Sequence, residues 1–137
     1  MVRIVSGPKG SGKTKRMIDY ANDSNISHEG EIVFINDREK YRVKLDNQIR
    51  YVNVEDFFIT NKDVFFGFLN GLIAENYDIT TVYIDNVLRI TGLESINDLE
   101  ELFSELRKLE DKYNLEFVLS VCAEDSEIPA FMKPAVC

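Results

Sequence analysis

The sequence has no tryptophan, a single histidine, two cysteines and three prolines in 137 residues. Cys122 and Cys137 show neither metal-ligand nor redox spacing, so they read as free thiols in a reducing compartment. The one histidine, His28, sits in the polar stretch Asn25-Ile26-Ser27-His28-Glu29-Gly30 and reads as a solvated loop residue. No apolar run approaches the length of a membrane-spanning helix. Positive charge is also scarce: 16 Lys and Arg stand against 24 Asp and Glu, a formal net charge of −8. That balance argues against a non-specific grip on nucleic acid as the main activity. Repeats, linkers and low-complexity segments are missing too, which leaves one domain over residues 1–137. With 45% hydrophobic residues, a chain of this size buries roughly two-thirds of its unfolded surface.

Against these absences one stretch stands out, Gly7-Pro8-Lys9-Gly10-Ser11-Gly12-Lys13-Thr14. It fits the phosphate-binding pattern G-x-x-x-x-G-K-[ST] at every fixed position. A short apolar run, Val2-Arg3-Ile4-Val5, precedes it as a buried strand, and Lys15-Arg16-Met17-Ile18-Asp19-Tyr20-Ala21 continues it as a helix. Glycines allow backbone N–H groups to curl around phosphate oxygens, and the helix N-terminus adds its positive dipole end. The spacing assigns nucleotide binding to residues 7–14 together with Lys15. It gives Lys13 the β- and γ-phosphates and Thr14 a Mg²⁺ ion. The loop starts at Gly7, which leaves no room for a signal peptide, so a cytoplasmic location is expected.

Further along, Glu31-Ile32-Val33-Phe34-Ile35 reads as a second buried strand, ending in the polar cluster Asn36-Asp37-Arg38-Glu39. Residues 40–47 read as irregular or hairpin structure, and Ile49-Arg50-Tyr51-Val52-Asn53-Val54 alternates as an edge strand should. Thr60-Asn61-Lys62-Asp63 has the form of a capping box before a helix rich in phenylalanine. Most of that stripe suits a core, whereas Phe58 or Phe66 left exposed would indicate a partner surface. Thr81-Val82-Tyr83-Ile84-Asp85 is an apolar strand ending in an acid, the Walker B pattern, which makes Asp85 a second Mg²⁺ residue. Ser95-Ile96-Asn97-Asp98 is another capping box, opening an amphipathic helix with Leu99, Leu102, Phe103, Leu106 and Leu109 on one face. The last clear strand covers residues 115–121, and the tail beyond it shows no further strand.

These residues resemble the P-loop NTPases over nearly the whole chain, most strongly at residues 7–14 and 82–85. The order of elements is similar to the RecA-like (ASCE-type) branch. That resemblance implies a three-layer α/β/α fold with a mostly parallel sheet of four to five strands. It also implies that the strand at 115–121 lies between the loop strand and the Asp85 strand, so the principal strands run 1-4-3-2. In that branch a polar residue on the inserted strand senses the γ-phosphate, which points to Ser120 or Glu124. Many members follow the Walker B Asp with a catalytic Glu. Here Asn86 stands there and cannot accept a proton, so Asp37, Glu39 and Glu124 remain open as the water-activating acid.

The resemblance extends to small ATP-binding proteins of the pilus-retraction type and to thymidine-kinase-like cores, and it implies ATP or ADP with Mg²⁺. No Asn-Lys-x-Asp guanine signature is present, so ATP is the default base choice. Three functions follow as expectations. One is slow Mg²⁺-dependent ATP hydrolysis that depends on self-assembly or a protein partner, with Lys13, Asp85, Glu39 and Glu124 as the candidate catalytic set. In such an assembly Arg38, Arg42, Arg50 or Arg89, near predicted strand ends, would serve a neighbouring subunit. The second is a nucleotide-dependent interaction module without hydrolysis. The third is a nucleoside-type kinase, against which stand the missing zinc-binding cysteine pair and the lack of an obvious lid.

Overall fold

Five strands form one parallel sheet: β1 (Arg3–Gly7), β2 (Glu31–Asn36), β3 (Arg50–Asn53), β4 (Ile79–Ile84) and β5 (Glu116–Cys122). A computed structural model describes residues 1–27 and 30–137, so the reading of His28 lies outside the described residues. The spatial order is β1-β5-β4-β2-β3, which is the expected order of principal strands with β3 added at the edge. Register pairs Gly7 with Cys122 across β1 and β5, and Ile35 with Ile84 across β2 and β4. The central strands are apolar on both faces because helices cover both, as a parallel sheet requires.

Side-chain alternation divides the core between the two faces. Val5, Ile32, Phe34, Tyr83 and Val118 point to the face covered by α1 (Lys13–Ser27), where Met17, Ile18 and Ala21 meet them. Ile4, Val33, Ile35, Val82, Ile84, Phe117 and Leu119 point to the opposite face. There they pack against α2 (Lys62–Glu75), α3 (Val87–Thr91) and α4 (Glu100–Tyr113). Burying one such aliphatic or aromatic side chain contributes roughly 1.5–3 kcal/mol. Three layers result, with every strand's carboxyl end on one edge of the sheet.

Several local features depart from the sequence reading. The polar stretch from Asn25 is not all loop: α1 continues through Ser27, since no glycine interrupts it before Gly30. Asn61, not Thr60, caps α2, its Oδ1 accepting the Val64 N–H at 2.9 Å. Ser95 does form a capping box, but it opens a 3-10 turn (Ile96–Leu99) that runs into α4. The stretch after β2 holds a 3-10 turn (Glu39–Lys44), fastened to α1 through Asn22, whose side chain donates to Lys44 O and accepts from Asp46 N–H, both at 2.9 Å. The helix α3, directly after Asp85 and Asn86, was not anticipated. Beyond β5 the tail returns along the outer edge of β1, where Cys137 N–H donates to Ile4 O at 2.9 Å and covers part of an otherwise open strand edge. Phe66 packs against the core, whereas Phe58 is 85% exposed with φ +58°. Among the described residues no helix is long and apolar enough to cross a membrane.

Candidate functional site

At the carboxyl edge of the sheet, β1 ends in Gly7 and the chain turns through the glycine-rich loop into α1. Gly10 and Gly12 both adopt φ +83°, a conformation side chains other than glycine rarely take. A Cβ on either would meet no protein atom within 4 Å, so each faces open space where a ligand fits. A Cβ on Gly7 would instead strike Ser11 Oγ at 2.5 Å, so this glycine serves the turn itself. Ser11 N–H closes that turn by donating to Pro8 O at 3.1 Å.

Lys13 opens α1 and is only 6% exposed. Its Nζ donates to Pro8 O at 3.0 Å, the single partner recorded for it among the described residues. An ammonium group has more donors than one carbonyl can satisfy, and burying it with so little compensation is costly unless an anion completes the set. Arg16 supports the loop from below, donating from Nη2 to Ser6 O at 2.9 Å, while its buried Nε has no partner.

At the second residue of α1, Thr14 Oγ1 donates to Asp85 Oδ2 at 2.8 Å. Asp85 directly follows β4 and is 1% exposed. Its other oxygen accepts from Ser120 Oγ at 2.6 Å, and its backbone N–H donates to Ile35 O at 2.9 Å. Ser120 Oγ in turn accepts the Asn86 N–H at 2.8 Å. Thus β1, β4 and β5 converge on a hydroxyl and carboxyl pair fixed on both sides. Hard oxygen donors of this kind suit Mg²⁺, which usually completes its shell with water and phosphate oxygens. No cluster of three or more His, Cys, Asp or Glu able to hold a metal occurs among the described residues.

An open cleft of about 840 Å³ lies over this edge. Lys9, Lys13 and Lys15, from the loop and α1, line it together with Arg38, Lys44 and Arg89, from the stretches that follow β2 and β4. Asp19, the one acid in the lining among the described residues, is bound to Lys15 at 2.9 Å. A chain of net charge −8 therefore gathers its cations where the loop is, and a polyanion is the ligand that such a field attracts.

Other candidates lie elsewhere. Glu39 is exposed in a neighbouring polar hollow, bound to Arg42 and Asn53. The hydrogen bond from Arg42, then that from Asn53, holds its pKa below the ordinary carboxylate value and makes it a weaker proton acceptor. Glu124 is exposed beyond β5, where it caps the 3-10 turn Asp125–Glu127 through a reciprocal bond with Glu127. Neither lines the cleft. Asp37 makes a two-pronged ion pair with Arg89. Ser120, expected near the γ-phosphate by resemblance, spends its hydroxyl on Asp85 and Asn86 and does not line the cleft. Of the four arginines singled out in sequence, Arg38 and Arg89 line the cleft of their own chain; Arg42 stacks on the Tyr51 ring instead. Tyr41 and Lys44 also reach the lining, unforeseen because their position depends on how the 3-10 turn packs against α1.

No protein-family model matches the sequence, and no curated protein does. Among solved structures the chain is similar to PCH-2 of C. elegans, at 19% identity and a TM-score of 0.53. The match covers 98% of this chain and 33% of that one, so this chain spans about a third of the neighbour's length. At that identity the likeness shows the fold alone, an α/β architecture with a parallel sheet.

Proposed function

We propose that this chain is a P-loop nucleotide-binding protein of the RecA-like kind that binds ATP or ADP with Mg²⁺ and hydrolyses ATP slowly. The observation that carries the reading is the buried Lys13 ammonium with a single carbonyl partner, set between glycines that face open space. In this reading residues 7–14 and Lys15 hold the phosphates, with Lys13 at the β- and γ-phosphates. Thr14 and Asp85 hold the metal, which supplies charge neutralisation to the phosphates when bound.

Slowness follows from what surrounds the cleft. Asn86 lines it but cannot take a proton from water, and the acids Glu39 and Glu124 stand outside it. Phosphoryl transfer rests mainly on positioning and charge, so a site without a water-orienting acid turns over slowly. A partner or a second copy of the chain completes it in this proposal. The exposed Phe57 and Phe58, on the side of β3, offer apolar area for such a contact. The two unpaired, exposed cysteines suit a reducing compartment, and the cytoplasm is the setting this reading assigns.

Phosphate release at rising protein concentration tests the proposal. Turnover per chain should be low when dilute and climb with concentration or with an added partner. Robust turnover independent of concentration would contradict it. A second reading, a nucleotide-dependent interaction module without hydrolysis, is favoured by Asn86 at the position where an acid is otherwise expected, and it predicts binding with no turnover at any concentration.

A further inference from the structure

Arg89 holds a place that loop binding alone does not require. It stands on α3, a five-residue helix that begins two residues after Asp85. Asn86, between them, takes φ +63° and is anchored by its N–H to Ser120 Oγ, the hydroxyl that also binds Asp85. The metal-side carboxyl and the start of α3 are therefore fixed by the same serine.

From α3 the Arg89 guanidinium reaches Asp37, just past the end of β2. Nε donates to Oδ2 and Nη2 to Oδ1, both at 2.6 Å. The Asp37 side chain is 13% exposed, the Arg89 side chain 42%. The carboxylate is thus the sheltered member and the guanidinium the one in contact with the cleft, which it lines together with Lys9 and Lys13. The pairing uses Nε and Nη2 and leaves Nη1 without a protein partner among the described residues. Such a fork, fixed along one edge and open along the other, matches two phosphate oxygens without rearrangement. The hydrogen bonds that it donates to Asp37, with smaller help from the charges of Asp37 and Asp85, raise the guanidinium's pKa and keep it cationic.

We propose that Arg89 reads the terminal phosphate of a bound triphosphate within its own chain, and that Asp37 is the positioning residue that holds its fork toward the cleft. The inference rests on the nucleotide reading above and adds a residue that separates triphosphate from diphosphate. Lys13 and the glycine loop serve phosphates common to both ligands. Arg89 comes from the element that follows Asp85, beyond a strand two positions from the loop strand β1 in the sheet, and so serves the phosphate that only the triphosphate has.

Calorimetric titration of the full chain with Mg²⁺ and either ADP or a non-hydrolysable ATP analogue tests this. The unaltered chain should bind the triphosphate analogue more tightly than ADP. Arg89→Ala should weaken the analogue by roughly 10–100-fold, the range of charge-assisted hydrogen bonds, and leave ADP nearly unchanged. Asp37→Asn should lower the ratio of the two affinities in the same direction but by less. Arg89→Lys, which keeps the charge and loses the fork, should recover part of the ratio and guards against a misfolded alanine variant. Equal losses for both ligands, or an unchanged ratio in Arg89→Ala or Asp37→Asn, would overturn the inference while leaving nucleotide binding intact. Failure of the unaltered chain to bind either ligand would overturn the underlying reading and this inference with it.

Discussion

The Thr14 hydroxyl and the Asp85 carboxyl group meet at 2.8 Å across 71 residues of sequence. Neither residue alone marks a metal site; their contact exists because β1 and β4, separated by β5, end at the same edge of the sheet. In the proposed function this pair distinguishes metal-dependent from metal-free nucleotide binding. Asp85→Asn keeps the size and an oxygen that accepts from Thr14, but removes the charge. It should reduce the gain in nucleotide affinity that Mg²⁺ brings by more than it reduces affinity without metal. Equal effects with and without Mg²⁺ would refute the role given to Asp85.

Ser120 offers a separate prediction about positioning. Its hydroxyl is fully buried, donates to Asp85 and accepts from Asn86. Ser120→Ala leaves a part-buried N–H and a buried carboxyl oxygen each short of a partner, at a cost of about 1–3 kcal/mol for a buried group. Denaturant unfolding should show that loss, and Mg²⁺-dependent binding should weaken alongside it. A Ser120→Ala protein as stable as the original would show that the hydroxyl is dispensable.

Much of this arrangement was legible in the sequence because the relevant signals are local. The loop pattern at residues 7–14 fixes its own geometry through glycine, and the buried strands read as apolar runs with helices between them. Even the strand order followed, by resemblance. What stayed hidden depends on which elements touch. Arg89 was visible only as an arginine near a strand end, since its Asp37 partner stands just past β2, 52 residues earlier in the chain. Tyr41 and Lys44 reach the cleft only through the grip of Asn22 on the 3-10 turn. Asn61 displaced Thr60 as the helix cap because two adjacent residues both cap well, and one residue of register is beyond what composition resolves.

Alkaline pH should destabilise the protein through Tyr51. Its phenol donates to Asn36, and burial first, then the charge of Glu39, pushes its pKa from 10.0 to about 12. The unfolded chain therefore gives up this proton at lower pH than the folded chain does. The associated stability is complete below about pH 10 and is lost as pH rises toward about 12. Unfolding midpoints across that window should fall, and Tyr51→Phe should make the fall shallower. Tyr83, raised chiefly by burial, adds a further part of the decline, so the slope should not vanish. A slope identical in the Tyr51→Phe protein would exclude Tyr51 as its source.

The central claim is that the loop at residues 7–14 is a phosphate cradle completed by Lys13. Titrating the unaltered chain and its Lys13→Ala variant with Mg-ATP in a calorimeter measures that directly. The account predicts saturable binding by the first and loss of most of the affinity in the second, with the fold retained. Binding of equal strength by both proteins would contradict it.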